Sequence, residues 1–466
     1  MTAADPGRSR WAALTLLVIG LFMVSMDVTI VNVALGAVRT GLHASGATLE
    51  LVVSGYTVAY AMLLITGARL GSLFGARRLF VTGLVLFTLG SLVCGLAPGA
   101  VVLVVGRFVQ GVGAAATVPQ ILSVIQQRFQ GADRARALSV YGATMASGIV
   151  LGQVLGGVLV SADIAGLSWR PAFLINVPVG VAVVALTPRF IPATRAARGR
   201  RLDVAGLLTG AAGILLIVLP LVLGREQGWP VWSFVTMAAG AVVLAVFVAT
   251  ERRVAARGGD PLLDLQVLRS PGMVGGLCAL AAGMIAYGGF LFATSLHLQT
   301  ALGDSALHVG LVFAPMALAF GALGYAWRLF PRALHAWAPT AGTLVAGAGY
   351  LLIALALRGG GQDLRLLVPL MLLTGAATGL SFSPLLTQSL VRVPVDRAAD
   401  ASGILATTQQ LSQVIGVTVL GGLYLDQAGP RLPGPAAAEV LGACAGVAVL
   451  GVIGTLALSR QVRRTG

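Results

Sequence analysis

The feature that most constrains this chain is a series of fourteen apolar runs, each close to the length that a helix needs to cross a lipid bilayer, about 20 residues. The runs lack the alternation of strands and carry glycine throughout, which favours helices over the strands of a barrel. The sequence therefore predicts an all-α membrane protein. The predicted spans are 11–35, 47–66, 79–97, 101–127, 137–160, 172–190, 204–223, 232–250, 272–296, 307–327, 336–357, 364–386, 402–424 and 437–459.

Composition excludes a soluble enzyme. Of the 466 residues, 57% are hydrophobic and 10% are charged, whereas about 25% of the residues are charged in a soluble domain. All 31 basic residues are arginine, which excludes the mechanisms that need a lysine, such as a P-loop, a Schiff base or a Ser-Lys dyad. A lysine-free chain rich in alanine and glycine also indicates GC-rich coding and a bacterial source.

The distribution of arginine predicts the orientation in the membrane. With a cytoplasmic N-terminus, the termini and the even-numbered loops carry 24 of the 31 arginines, six lie in the opposite loops, and Arg107 lies inside a span. Cytoplasmic loops are enriched in basic residues, so we expect a multi-pass protein of the cytoplasmic (inner) membrane with both termini in the cytoplasm. The net charge of +15 follows from this bias, and no nucleic-acid partner is needed to explain it.

Two short strings indicate an internal repeat. Asp-Arg-Ala-Arg-Ala-Leu-Ser at 133–139 is echoed by Asp-Arg-Ala-Ala-Asp-Ala-Ser at 396–402, an offset of 263 residues, and each string leads into a span. If two spans and their loops are subtracted from this offset, the remaining number of residues suits six spans and their loops. Parallel repeats of this kind are typical of one transporter architecture. We therefore divide the chain into an N-terminal six-helix half (1–190), a two-helix insert (203–270) and a C-terminal six-helix half (271–466).

Two charges, Asp27 and Arg107, lie deep in apolar runs. Both are predicted about 9–12 Å below the outer boundary of the membrane, from a rise of about 1.5 Å per residue. A lone charge there costs at least about 2.5–3.5 kcal/mol, so pairing or a wet cavity is expected. The pair is either a static structural contact or, in the interpretation that we favour, it opens when a proton or substrate binds. Asp27 is then the proton carrier, because arginine stays charged.

Glutamines at mid-membrane depth form a second polar set, in spans 4, 5 and 13. Such amides either hydrogen-bond neighbouring helices or line an aqueous cavity, and the sequence leaves both open. The candidate substrate cavity comprises Tyr56, Gln110, Gln120, Gln153, Tyr287, Gln409 and Gln413. The three cysteines and four histidines are scattered, so neither a disulfide framework nor a metal site is predicted.

Closely spaced glycines mark the fifth span. Gly148-x-x-x-Gly152 is followed by Gly156 and Gly157, a spacing that allows helices to approach closely. Static packing explains this pattern, and so does a rocking contact that seals one side of the membrane.

Four strings resemble the major facilitator superfamily, and specifically its fourteen-span drug:proton antiporter family. They are the first-span signature at 26–35, the fourth-span motif at 107–114, the antiporter motif at 148–157 and the string at 169–178. The resemblance covers essentially the whole chain. It implies the major facilitator fold, with two six-helix halves plus a two-helix insert, and proton coupling through Asp27 and Arg107.

The loop at 69–78 resembles the family's gating motif with two departures, since the usual acid is Ser72 and an expected arginine is Ala76. The antiporter motif also has Gln153 where proline is usual. Ser72 is expected to cap the start of the third span through its hydroxyl, without the ion pair that an acid would form. The gating residues implied by the resemblance are Ser72, Arg77, Arg78, Gly148, Gly152, Gly156 and Gly157.

Together these features predict a proton-coupled antiporter that exports small hydrophobic drugs or secondary metabolites. Its expected partners are the substrate, protons and the lipid bilayer; no cofactor, metal, nucleic acid or ATPase subunit is expected, because the proton gradient drives transport. The alternative is a proton-coupled importer or facilitator of a small solute on the same fold. An enzyme acting on lipid-linked substrates would need clustered acidic or histidine residues at a membrane face, and the sequence shows none.

Overall fold

The computed structural model describes residues 6–44, 46–191, 203–224, 227–259, 261, 263–300, 302–358, 364–394, 397–428 and 433–464. Regular structure in these residues is helical throughout. The longer helices are α1 (Pro6–Leu42), α2 (Gly46–Phe74), α3 (Ala76–Gly95), α4 (Ala100–Arg128), α5 (Gly131–Ser161), α6 (Asn176–Phe190), α7 (Val204–Leu223), α8 (Val231–Ala256), α9 (Met273–Thr300), α10 (Ala306–Ala326), α11 (Ala338–Arg358), α12 (Leu364–Leu390), α13 (Ala398–Ile415) and α14 (Pro433–Arg464).

Twelve helices within the described residues are long and apolar enough to cross a membrane. This confirms an all-helical multi-pass protein. Two of the fourteen predicted spans lack such a helix: the apolar part of α7 is the shorter stretch Ala205–Leu221, and α13 ends at a π-helical segment, Gly416–Leu420, followed by the short helix Gly421–Ala428. The number fourteen therefore stays a prediction.

The contacts between residues divide the chain into two compact units. The first unit comprises Met1–Phe129, Leu155–Val267 and Pro394–Thr407. In it α4 packs against α2 and α3, and α7 packs against α2 and α8. Gly67 and Gly111 permit the contact between α2 and α4, because a Cβ atom on either glycine would overlap backbone atoms of the other helix.

The second unit comprises Gln130–Val154, Leu268–Val393 and Thr408–Gly466. Here α12 packs against α10 and α11, so the fourth helix of each half contacts the second and third helices of that half. A Cβ on Gly375 or Gly379 would overlap the backbone of α10, which mirrors Gly111 on α2. The predicted division at 1–190, 203–270 and 271–466 is based on a repeat in the sequence. A grouping of residues by their contacts does not test such a repeat, so the division stays a prediction.

An apolar layer in the first unit lies beside Asp27. It contains Ile30 on α1, Val52 on α2, and Trp169 and Phe173 at the turn before α6, all fully buried. Burying each large apolar side chain contributes about 1.5–3 kcal/mol. The layer therefore holds α1, α2 and the start of α6 together beside the buried charges.

Candidate functional site

Asp27 and Arg107 form an ion pair inside the first unit. Their side chains are 0% and 1% exposed, and Arg107 Nη1 donates to Asp27 Oδ2. Arg107 Nε also donates to the carbonyl oxygen of Val52 on α2, at 2.8 Å. Two donors on one rigid guanidinium fix its orientation. The structure therefore brings together the two charges that the sequence predicts to pair.

Two amides complete the shell around Asp27. Gln110 Nε2 donates to Asp27 Oδ1 and to Ser91 Oγ, both at 2.8 Å, while its Oε1 accepts from Arg107 Nη1 at 3.0 Å. Asn176 Nδ2 donates to Asp27 Oδ1 at 3.1 Å. Both amides and Ser91 are fully buried. We call the set of Asp27, Tyr56, Ser91, Arg107, Gln110 and Asn176 the Asp27 cluster.

Tyr56 joins this cluster through its ring. The guanidinium of Arg107 lies 4.5 Å from the ring centroid, close enough for a cation–π contact of about 2 kcal/mol when desolvated. The ring is 1% exposed, and its Oη has no hydrogen-bond partner in the described part of the chain. Of the candidate cavity residues, Tyr56 and Gln110 thus lie against the ion pair.

Local sequence explains why these side chains meet. Arg107 and Gln110 are three residues apart on α4, so they share one face of the helix. A Cβ on Gly90 of α3 would lie 2.8 Å from Gln110 Cγ, which means that glycine is needed there for Ser91 to reach the amide. A Cβ on Gly156 of α5 would lie 3.1 Å from the backbone oxygen of Ile30, one turn beyond Asp27.

The other candidate cavity residues are distributed over both units. Gln120 Nε2 donates to the backbone oxygen of Gly67 at 2.8 Å, so this amide joins α4 to α2 in the first unit. In the second unit the ring of Tyr287 lies 6.5 Å from that of Phe320, and Gln409 contacts the sulfur of Met145. Gln153 and Gln413 are half-buried in the second unit. Their assignment to one cavity stays a prediction.

The expectation that Ser72 caps the third helix is wrong. Helix α2 continues to Phe74, so Ser72 lies in its last turn and its hydroxyl donates to the carbonyl of Arg69 at 2.8 Å. Gly75, with φ of 93°, occupies the cap position of α3, and no side chain caps that helix. The physical reason is that only Gly75 separates the two helices, and glycine adopts this left-handed conformation at low cost.

The remaining gating candidates also have definite positions. Arg77 Nη1 donates to the carbonyl oxygen of Ile191 at 3.2 Å, which joins the start of α3 to the end of α6. Arg78 is exposed. The four glycines of α5 that are gating candidates are buried, and they fall in different units: Gly148 and Gly152 in the second, Gly156 and Gly157 in the first. Their roles in gating stay predictions.

Sequence reasoning missed Asn176 and Ser91. Asn176 lies in the string at 169–178 that resembles the family. Its position at the start of α6 did not indicate that its partner is Asp27, which lies 149 residues earlier in the chain. A signal existed, because an asparagine inside an apolar span needs hydrogen-bond partners. Ser91 carried no such signal, since serine in a membrane helix commonly bonds to its own backbone.

The Asp27 cluster can hold a carboxylate as an anion and respond when it takes a proton. Three donors converge on Asp27 and occupy both of its carboxylate oxygens. Protonation would remove the charge that Arg107 balances and would weaken the contacts between α1 and α4. The described residues contain no group of three or more His, Cys, Asp or Glu side chains that could hold a metal ion.

Comparison with known proteins gives consistent similarities. The family model described as "Major Facilitator Superfamily" matches residues 17–417. A probable actinorhodin transporter of Streptomyces coelicolor is 37% identical over 440 residues, covering 92% of this chain and 75% of the relative. A cephamycin export protein of Amycolatopsis lactamdurans is 35% identical over 419 residues, covering 88% of this chain and 84% of the relative.

A solved structure shares the fold. A proton:xylose symporter superimposes with a TM-score of 0.67 over 96% of this chain and 95% of its own, at 14% sequence identity. Identity at this level shows similarity of fold alone.

Proposed function

We propose that this chain, which belongs to the Major Facilitator Superfamily of membrane transporters, exports small hydrophobic drugs or secondary metabolites in exchange for protons. Membership makes it a transporter rather than an enzyme. The names of its relatives, an actinorhodin transporter and a cephamycin exporter, support this direction and this class of substrate.

The observation that carries proton coupling is the buried pair of Asp27 and Arg107. The Asp27 carboxylate is 0% exposed and accepts hydrogen bonds from three side chains. Ionisable groups inside membranes are costly, and they commonly mark proton or substrate pathways. Protonation of Asp27 releases Arg107 from its partner, so proton binding changes the contacts between α1 and α4 and biases one conformation over the other.

Transport by alternating access would rock the two six-helix halves around a midplane cavity. The packing of α12 against α10 and α11, which repeats that of α4 against α2 and α3, supports this arrangement. The proton gradient then supplies the energy, and the transporter needs no cofactor and no ATPase subunit.

We further propose fourteen spans, with both termini in the cytoplasm of a bacterium. The two additional spans are α7, whose apolar stretch is Ala205–Leu221, and the continuous helical stretch from α13 through Gly416–Leu420 to Ala428. The bacterial relatives and the arginine bias of the loops support the location and the orientation.

Expression in a pump-deficient bacterial host tests the function. A growth-inhibition panel of diverse antibiotics and dyes is compared between the wild-type chain and an empty vector, and dye accumulation is followed with and without a protonophore. We expect resistance to a subset of hydrophobic compounds, with accumulation that rises when the gradient collapses. Increased accumulation of a solute in energised cells would instead support the importer, and an unchanged panel would contradict export.

A further inference from the structure

The two amides that donate to Asp27 differ in how many of their atoms are engaged. Both polar atoms of the Gln110 amide are used, since Nε2 donates to Asp27 and Ser91 while Oε1 accepts from Arg107. Cys94 Sγ also lies 3.5 Å from that Oε1. Turning the Gln110 amide over would therefore place NH₂ against the guanidinium and oxygen against the carboxylate, and several hydrogen bonds would be lost at once.

The amide of Asn176 is engaged at one end only. Its Nδ2 donates to Asp27 Oδ1 at 3.1 Å. Its Oδ1 is buried and has no hydrogen-bond partner among the residues that the structure describes. A buried acceptor without a hydrogen bond destabilises a fold, so an unpartnered carbonyl beside the buried carboxylate needs a physical explanation.

We propose that Asn176 is a positioning residue that serves both protonation states of Asp27 by turning its amide over. When Asp27 is charged, Nδ2 donates to its oxygen. When Asp27 takes a proton, the amide rotates and Oδ1 accepts from the new O–H group. The inference rests on the proposed function, because it assumes that Asp27 takes up a proton during transport.

The hydrogen-bond count explains why Asn176 can make this change. In either orientation one amide atom bonds to Asp27 and the other has no partner, so the rotation leaves the number of bonds unchanged. Gln110 meanwhile keeps Arg107 and Ser91 in place, and Arg107 retains its bond to the Val52 carbonyl. The cluster can therefore accommodate the proton without losing the bonds that hold α4 to α2 and α3.

Other groups around Asp27 define the alternatives. In the described residues, the titratable or charged side chains that face it are Arg107 on α4, Tyr56 on α2 and Cys94 on α3, while α6 contributes the neutral amide of Asn176. Arginine has no acceptor. The unpartnered hydroxyl of Tyr56 is the competing acceptor for the proton on Asp27, so the experiment must separate it from Asn176.

Infrared difference spectroscopy of the purified protein in lipid vesicles tests the proposal without a transported substrate. The C=O stretch of a protonated carboxyl is followed during a pH titration and assigned to Asp27 by its absence in Asp27→Asn. Asn176→Leu removes one hydrogen bond from each form. The charged form keeps its bonds to Arg107 and Gln110, whereas the protonated form is left with a buried O–H group that has lost its acceptor, and this loss costs more. We expect the midpoint to move to lower pH by about one unit.

Three further variants make the result specific. Asn176→Ala should give the same direction of shift and replaces the leucine variant if that one does not fold. Asn176→Ser, whose hydroxyl can both donate and accept, should bring the midpoint back towards the wild-type value. Gln388→Leu removes a buried amide of α12 in the second unit, which donates to the carbonyl oxygen of His335 at 2.7 Å, and should leave the midpoint unchanged.

An unchanged midpoint in Asn176→Leu and Asn176→Ala would overturn the proposal, as would a shift in Tyr56→Phe without one in the Asn176 variants. Failure of the proposed function looks different. If no carboxyl band that depends on Asp27 titrates in the wild type, Asp27 does not carry the proton, and both statements fall. If the Asn176 variants behave as expected but no drug efflux is measured, the rotation of the Asn176 amide is supported and drug export is contradicted.

Discussion

In the first unit, α1 to α4 meet around an ion pair, Asp27 and Arg107. In the second unit, α12 packs against α10 and α11 as α4 packs against α2 and α3, yet α9 to α12 meet around aromatic rings. Phe290 lies 4.8 Å from Tyr350 and 6.1 Å from Phe313, centroid to centroid. We call these rings the aromatic cluster, with members Tyr287, Phe290, Phe313, Phe320, Tyr350 and Phe382.

The difference shows that one helical arrangement supports two kinds of interior. The Asp27 cluster depends on directional bonds between charged and amide groups, so removing one member leaves another buried and unsatisfied. The aromatic cluster depends on buried area and on edge contacts, which tolerate small displacements. The first unit should therefore respond to protons, and the second should respond mainly to changes of volume.

The largest expected effect is the loss of coupling in Asp27→Asn. Asparagine keeps the size of the side chain but cannot exchange a proton, so uphill efflux should fall to the level of the empty vector while protein abundance stays near the wild-type value. Dye efflux from energised cells measures this. Asp264→Asn is the matched control, because this acid of the same unit is 21% exposed and pairs with Arg397. Full drug resistance in Asp27→Asn would refute its role.

Removing the cation should cost stability in the first unit. Arg107→Met leaves the carboxylate of Asp27 buried without its partner, and breaking a buried pair in this way costs about 3–5 kcal/mol. Thermal unfolding of the purified protein in detergent measures the loss. The double variant Asp27→Asn/Arg107→Met should recover part of the stability without recovering efflux. Equal melting temperatures for Arg107→Met and the wild type would argue that the pair is not desolvated.

A smaller effect is expected from Phe290→Leu in the second unit. The variant loses ring contacts with Phe313 and Tyr350, each contributing about 0.5–1.5 kcal/mol beyond the buried area. Unfolding should be easier by about 1–3 kcal/mol, and the pH dependence of efflux should match that of the wild type. If the pH dependence of efflux differs from that of the wild type, the aromatic cluster and the Asp27 cluster are coupled, and the contrast drawn between them is wrong.

The smallest effect is expected at the segment that follows α8. Arg397 Nε bonds to Asp264 Oδ2 at 3.1 Å and its Nη2 bonds to Gln266 Oε1 at 2.9 Å, in a partly exposed site of the first unit. Such pairs contribute about 0–1 kcal/mol. Arg397→Ala should lower abundance slightly and leave the range of substrates unchanged, as resistance profiles and immunoblots can check. A changed substrate range at normal abundance would show that this partly exposed pair takes part in transport.

Much of the fold could be predicted from the sequence, because a helix that crosses a bilayer must be apolar over a fixed length. Asp27 and Arg107 could be singled out for the same reason, since a charge inside an apolar run is costly and conspicuous. Ser72 shows the limit. Its neighbours suggested a cap for α3, but whether α2 ends before or after Ser72 depends on packing and on the left-handed turn at Gly75.

The sequence by itself determined that this chain is a bundle of membrane helices, with the acid Asp27 and the base Arg107 deep inside its apolar runs. Length, hydropathy and the distribution of arginine are local properties, and the bilayer acts on each span in the same way. Tertiary structure alone decided which neutral groups surround Asp27. Ser91, Gln110 and Asn176 lie on three helices, and their meeting depends on the rotation of each helix and on close approach at glycines such as Gly90. Those rotations follow from the packing of whole surfaces, which no single stretch of sequence encodes.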